Sequence, residues 1–157
     1  MIRRAKIHDV PEIVQLIKIW ADQGQMLPVA QSQVYSQLRS FVVVEQDDHL
    51  IGVGALVIIW GDLAEVRSLA LRPEAIGQGI GRHIVEHLLK EAHELEIPRV
   101  FTLTYKPNFF KKLGFQPIDK KYLPHKVWKD CINCPKFPDC DENALIIDFS
   151  ERSEDAD

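Results

Sequence analysis

Residues Leu69 to Arg82 read L-A-L-R-P-E-A-I-G-Q-G-I-G-R, and this stretch decides the fold class. An apolar strand runs into a proline turn, and Gly77, Gly79 and Gly81 then alternate with Gln78 and Ile80 where a helix begins. Alternate glycines let a backbone come close to a ligand and adopt conformations closed to other residues. The first turn of a helix carries N–H groups without intrahelical partners, and the helix dipole adds positive character beside them. Together they favour an anion, above all a phosphate or pyrophosphate, and Arg82 adds a cation. No Gly-Lys-Ser/Thr follows, so this is not a P-loop, and the G-x-G-x-G spacing is not the dinucleotide fingerprint. Taken alone, the pattern also fits a strand-to-helix turn that glycine merely eases.

Working outward, the apolar pattern alternates between the period of a strand and that of a helix. Ile2 to Ala5 reads as a short strand. Asp9 and Glu12 have the spacing of a capping box ahead of Ile13, Leu16, Ile17 and Trp20, which predicts a helix over about 9–23 with Gly24 as its stop. Ser32 opens a second short helix to about Arg39. Phe41 to Glu45 and Leu50 to Trp60 flank a polar turn and read as a hairpin, and Ala64 to Leu71 is the next strand. The longest helix covers about 79–95, and Pro98 breaks it. Strands follow at Val100 to Thr104, Phe115 to Ile118 and Ala144 to Phe149, with a short helix from Pro107 to Leu113. The order β-α-α-β-β-β-α-β-α-β-β predicts a single α/β (α+β) domain over residues 1–149 with a mixed central sheet, and a polar, disordered tail over 150–157.

A chain of 157 residues suits one domain, and 46% hydrophobic with 27% charged residues is ordinary for a globular protein. The formal charge of -4 argues against a nucleic-acid partner. No apolar run reaches the roughly 20 residues needed to span a bilayer, and the start has no signal-peptide pattern, so no membrane role is expected. Three cysteines, an odd number placed late in the chain, fit a reducing compartment, and a cytoplasmic location is expected.

Ala64 to Leu71, followed by Arg72-Pro73 and Gly77 to Gly81, resembles the acetyl-CoA-binding segment of GNAT N-acetyltransferases. Phe109-Phe110-Lys111-Lys112-Leu113-Gly114-Phe115 resembles their aromatic-x-x-x-Gly-Phe element. The resemblance implies the GNAT acyl-CoA N-acyltransferase fold and acetyl-CoA as cosubstrate. Gly77, Gln78, Gly79, Ile80, Gly81 and Arg82 would then hold the pyrophosphate, the strand edge at Leu69, Ala70 and Leu71 would pair with the pantetheine arm, and Phe110 would line the cofactor site. Ile76 stands where the family usually has Gln or Arg, and Phe110 where it frequently has Tyr.

A narrower likeness is to the short, stand-alone N-acetylglutamate synthases of arginine biosynthesis. It rests on Arg3-Arg4-Ala5 with Asp9-Val10, on Val100 to Tyr105 leading to Phe109-Phe110, and on Leu123 to Cys131 with Cys134-Pro135 and Cys140-Asp141-Glu142. It implies acetyl transfer to the α-amino group of L-glutamate or a related amino acid such as glutamine, and a homodimer. Relatives tend to have an arginine in the first inter-helix loop, where this chain reads Leu27-Pro28-Val29-Ala30. The substrate carboxylate must then meet Arg67, Arg72, Arg3, Arg4 or Lys106, and Arg67 is preferred. For direct attack on the thioester, Glu65 is the candidate base, a backbone N–H near Leu69 the oxyanion donor, and Tyr105 the candidate acid in place of Phe110. Thr102 and Thr104 either line the cleft or serve strand packing. Another amine (a polyamine, an antibiotic or a protein N-terminus) is the alternative acceptor, and a non-catalytic CoA-sensing module is the alternative function.

Cys131, Cys134 and Cys140 form C-x2-C-x5-C with His125 six residues upstream, within an irregular insertion at about 119–141. As Cys3His they have the residue types of a zinc site, and as small apolar groups they equally pack an insertion around Trp128 and Phe137.

Overall fold

The computed structural model describes residues 1–123 and 143–150. The expectations for His125, the three cysteines and the tail beyond Ser150 lie outside the described residues.

A seven-stranded mixed sheet runs in the order β1-β2-β3-β4-β5-β7-β6. Its strands are β1 (Ile2–Arg4), β2 (Phe41–Gln46), β3 (His49–Trp60), β4 (Leu63–Leu71), β5 (Arg99–Thr104), β6 (Gln116–Pro117) and β7 (Asn143–Asp148). Helices α1 (Val10–Ala21), α2 (Gln31–Ser36), α3 (Ile80–Glu94) and α4 (Pro107–Lys111) complete the expected order of elements.

Strand alternation sorts the core onto two faces. Val42 and Val44 of β2 join Leu56, Ala64 and Val66 beneath Ile84, Val85, Leu88 and Ala92, the stripe that α3 buries. Phe41 and Val43 point the other way, with Val53, Ala55 and Ala70, toward Val10, Ile13, Leu16 and Ile17 of α1. Gly54 lets α3 lie close to the sheet, because a Cβ there would stand 2.7 Å from the Ile84 side chain. Asp47 and Asp48 take the left-handed backbone of a tight turn joining β2 to β3.

The expected capping box at Asp9 and Glu12 does not form. Asp9 lies in a 3-10 turn, Ile7–Asp9, and its side chain caps no α1 amide. It is 3% exposed and is held by both Nη atoms of Arg3, at 2.7 and 2.9 Å, and by the Lys6 N–H at 2.7 Å. Glu12 instead accepts from the Leu50 N–H and from Arg72. Both carboxylates tie the start of α1 to the sheet.

The Arg3 guanidinium holds the Asp9 carboxyl below its usual value of 3.8, against the cost of burial. A carboxyl with a lowered folded-state pKa stabilises the fold above its unfolded-state value and loses that effect as pH falls through its folded-state value. Asp9→Asn is therefore expected to cost about 2 kcal/mol at neutral pH. The penalty should shrink in urea unfolding near pH 3, and an equal penalty at both pH values would count against this account.

Candidate functional site

Strands β4 and β5 are parallel neighbours for three pairs only, Leu63↔Arg99, Ala64↔Val100 and Glu65↔Phe101. Beyond these they part, while β4 stays paired to β3 as far as Leu71 and β5 stays paired to β7 as far as Thr104. The result is an opening along the second half of β4. At its apex Thr102, 2% exposed, donates its hydroxyl to the Val66 carbonyl at 3.0 Å.

Past the apex, Arg67 pairs with Ala55 and Ala70 with Val53, so Ser68 and Leu69 together face Gly54 alone. This is a β-bulge, and Ser68 has φ 59. The Arg72 N–H bonds to the Ile51 carbonyl. By the alternation of an antiparallel ladder, Ala70 directs its backbone to β3 and Leu71 directs its own to the opening. Ala70 is thus a buried ladder residue. The Leu71 carbonyl receives the Trp20 indole N–H at 2.7 Å, so α1 occupies part of the edge expected for pantetheine.

Glu65 and Arg67 stand two residues apart and share one face of β4. Glu65 is 6% exposed, and its Oε1 accepts from Arg67 Nε at 2.9 Å and Nη2 at 2.6 Å. The proposed base and the proposed carboxylate anchor are therefore already in contact, which residue spacing alone did not reveal. Among the other cations, Arg3 is committed to Asp9 and Glu45. Arg72 is committed to the Leu50 carbonyl and Glu12, and Arg4 contacts Glu91 of α3. Lys106, two residues past β5, lies 5.5 Å from the centre of the Trp20 ring. Tyr105 follows β5 and is half-buried.

The glycine turn is open and bends through left-handed backbone. Gly77 has φ 87 and Gly79, the α3 N-cap, has φ 79, with open space around both. Among the described residues no side chain accepts from the N–H groups of Ile80, Gly81 or Arg82, so the donors of the first turn are not capped internally. Gly81 has a different role: a Cβ there would lie 3.3 Å from the Phe109 ring. Gln78 donates to the Glu74 carbonyl, and Arg82 is turned along the helix to Glu86 at 2.6 Å. The positive character of the turn thus comes from its amides. Phe110 is buried edge-to-face against Phe109 and Phe115, in the core rather than on a ligand surface.

The sequence pattern offered Thr102 as a cleft or packing residue without its bond to the Val66 carbonyl, and it left the part of Trp20 in the opening unseen. Threonine is common in strands for packing, and Trp20 reads as one more residue on the α1 apolar face. Among the described residues no group of three or more His, Cys, Asp or Glu is placed to hold a metal ion. No helix among them is long and apolar enough to cross a membrane.

Residues 8–115 match the Acetyltransferase (GNAT) family. The chain is 37% identical over 145 residues to an uncharacterized N-acetyltransferase of Chlorobaculum tepidum, covering 92% of this chain and 94% of the relative. It is 38% identical over 133 residues to an amino-acid acetyltransferase of Mycobacterium tuberculosis, covering 83% and 76%. The structure superimposes with a TM-score of 0.86 and 27% identity on N-acetylglutamate synthase from Neisseria gonorrhoeae complexed with coenzyme A and N-acetyl-glutamate. That match covers 94% of this chain and 34% of the larger enzyme. A strand pair that opens beside an uncapped glycine turn suits a long, thin anion, and with these relatives the chain belongs to the GNAT acetyltransferase family as an acetyl-CoA-dependent acyltransferase.

Proposed function

We propose that the chain transfers the acetyl group of acetyl-CoA to the α-amino group of an amino acid, L-glutamate first. The observation that carries this reading is the Glu65–Arg67 pair at the opening between β4 and β5. The names of the mycobacterial and gonococcal relatives support it.

The uncapped amides of Ile80, Gly81 and Arg82 at the N-terminus of α3, with Gly77 and Gly79 shaping the turn, bind the pyrophosphate of CoA. The open side of β4 about Leu69 and Leu71 holds the arm extended. The thioester supplies an activated acyl carbon. The bulge at Ser68 and Leu69 presents a backbone N–H to the thioester oxygen, where negative charge develops.

Arg67 receives the α-carboxylate of the acceptor, since a guanidinium fork suits a carboxylate in two-point contact. In doing so it shares or gives up its hold on Glu65, which then takes a proton from the ammonium group directly or through water. Lys106, on the β5 side of the opening, is the cation for a second carboxylate, which favours a dicarboxylic acceptor. Tyr105, which follows β5, is the candidate protein acid for the leaving thiolate.

Thiol release from acetyl-CoA, measured across the free amino acids with spermidine as a cationic control, is expected to be fastest with glutamate. A preference for spermidine, or failure of every amino acid, would sink the amino-acid reading. Glu65→Gln should lower kcat about 100-fold with CoA binding retained. Arg67→Gln should raise the KM for glutamate by roughly 10- to 100-fold. Equal effects of both on CoA affinity would remove them from these roles.

Gly79→Ala tests the turn. The left-handed backbone there costs an L-residue about 1–2 kcal/mol, with no clash to add. If the free protein relaxes that strain, CoA binding must restore it, and calorimetry should report affinity roughly 5- to 30-fold weaker. An unchanged dissociation constant would mean that the free turn keeps its left-handed backbone or that the pyrophosphate lies elsewhere.

A further inference from the structure

The buried hydroxyl of Thr102 lies where the sheet divides. The last backbone pair between β4 and β5 is Glu65↔Phe101. Continuing the parallel ladder would give Val66 a backbone partner in β5, but the strands have begun to part. The Val66 carbonyl takes the Thr102 hydroxyl instead, at 3.0 Å, and Thr102 is 2% exposed. A valine in its place would fill the same space without a donor, leaving a buried carbonyl unmet.

Val66 is followed directly by Arg67, Ser68 and Leu69, the segment in which β4 bulges against Gly54. A bulged strand is a soft place in a sheet, because two residues face one and part of the ladder is lost. Here the bulge also borders the opening, so β5 gives it no backbone support. The hold on the Val66 carbonyl is the last fixed point on the β5 side before the backbone turns through Ser68, at φ 59.

We propose that Thr102 is a positioning residue for acetyl transfer: its hydroxyl pins the Val66 carbonyl and so fixes the direction of the following Ser68–Leu69 amide toward the thioester. It acts through the backbone and touches neither substrate. The inference rests on the acetyl-transfer reading of this edge and is independent of which amine accepts.

The test compares Thr102→Val and Thr102→Ser with the unaltered protein, each bound to CoA. In Thr102→Val, hydrogen exchange in the peptide covering residues 66–69 should quicken about tenfold, while the peptide covering 77–82 keeps its rate. CoA should still bind one per chain, with affinity within about threefold, whereas kcat with the best acceptor falls about 10- to 100-fold. Thr102→Ser, which restores a hydroxyl, should recover most of both. The inference is overturned if exchange and kcat in Thr102→Val stay within about twofold of the unaltered protein, or if CoA stoichiometry falls in step with kcat, since the loss is then one of folding. If the unaltered protein acetylates no amino acid, the acceptor reading fails, and kcat in the same comparison is read with the amine that the protein does acetylate.

Discussion

Three residue pairs hold β4 to β5, and everything distinctive about this protein follows from where that pairing stops. Each strand is secured on its outer side, β4 by β3 and β5 by β7, so the two halves of the sheet diverge as ordered units. α3 packs chiefly on β2, β3 and β4 and α4 on β6 and β7, while one apolar cluster that includes Val100, Phe110, Leu145 and Ile147 joins the two sides beneath α3. A parting of strands exposes backbone donors and acceptors, which are costly to bury without partners. Side chains meet that cost at two points, Thr102 at the apex and Trp20 near the mouth. The edge between them is available to an extended ligand.

The placement of charge at this edge has its own logic. A buried carboxylate such as Glu65 is tolerated only with a close partner, and Arg67 provides it from the same face of the same strand. Stability alone does not explain the pair, since apolar residues of similar size often serve a core as well or better. What an ion pair at an opening offers is a guanidinium already oriented and partly desolvated, which a carboxylate ligand can share at less cost than a hydrated surface arginine. The absence of a cation in the Leu27 to Ala30 loop makes that reserve on β4 more consequential. Arg3 and Arg72 carry the same charge, but they fasten α1 and the β2–β3 hairpin to the rest of the fold and are not available for it.

Local chemistry made most of the architecture legible. Among the described residues, valine runs, the polar Asp47-Asp48 turn, the apolar stripe of α3 and the glycines ahead of it recovered every helix and strand in its order, with ends displaced by a few residues. What escaped depends on partners distant in the chain. The Asp9 and Glu12 spacing is that of a cap, yet Arg3, Leu50 and Arg72 recruit both carboxylates across the fold. Thr102 meets Val66 and Trp20 meets Leu71 only after the sheet has formed, so no local pattern announces either contact. Arg82 is a different case. Its side chain pairs with Glu86 in an i,i+4 helix contact that the residues do advertise, which leaves its amide rather than its guanidinium to the anion site.

The two parts of the opening are joined by one continuous stretch of chain. From Glu65 to Leu71 the chain runs as one strand, and after a short 3-10 turn at Pro73–Ala75 it enters the glycine turn and α3. Six residue steps of strand span roughly 20 Å. A ligand anchored by its phosphates at α3 and reacting beside Glu65 must therefore be long, narrow and able to pair with a strand edge. Inorganic phosphate or a simple nucleotide would satisfy the helix end and leave the reacting end empty. The same strand carries the ligand edge, the charged pair and the bulge, so any shift of β4 against β5 moves them together.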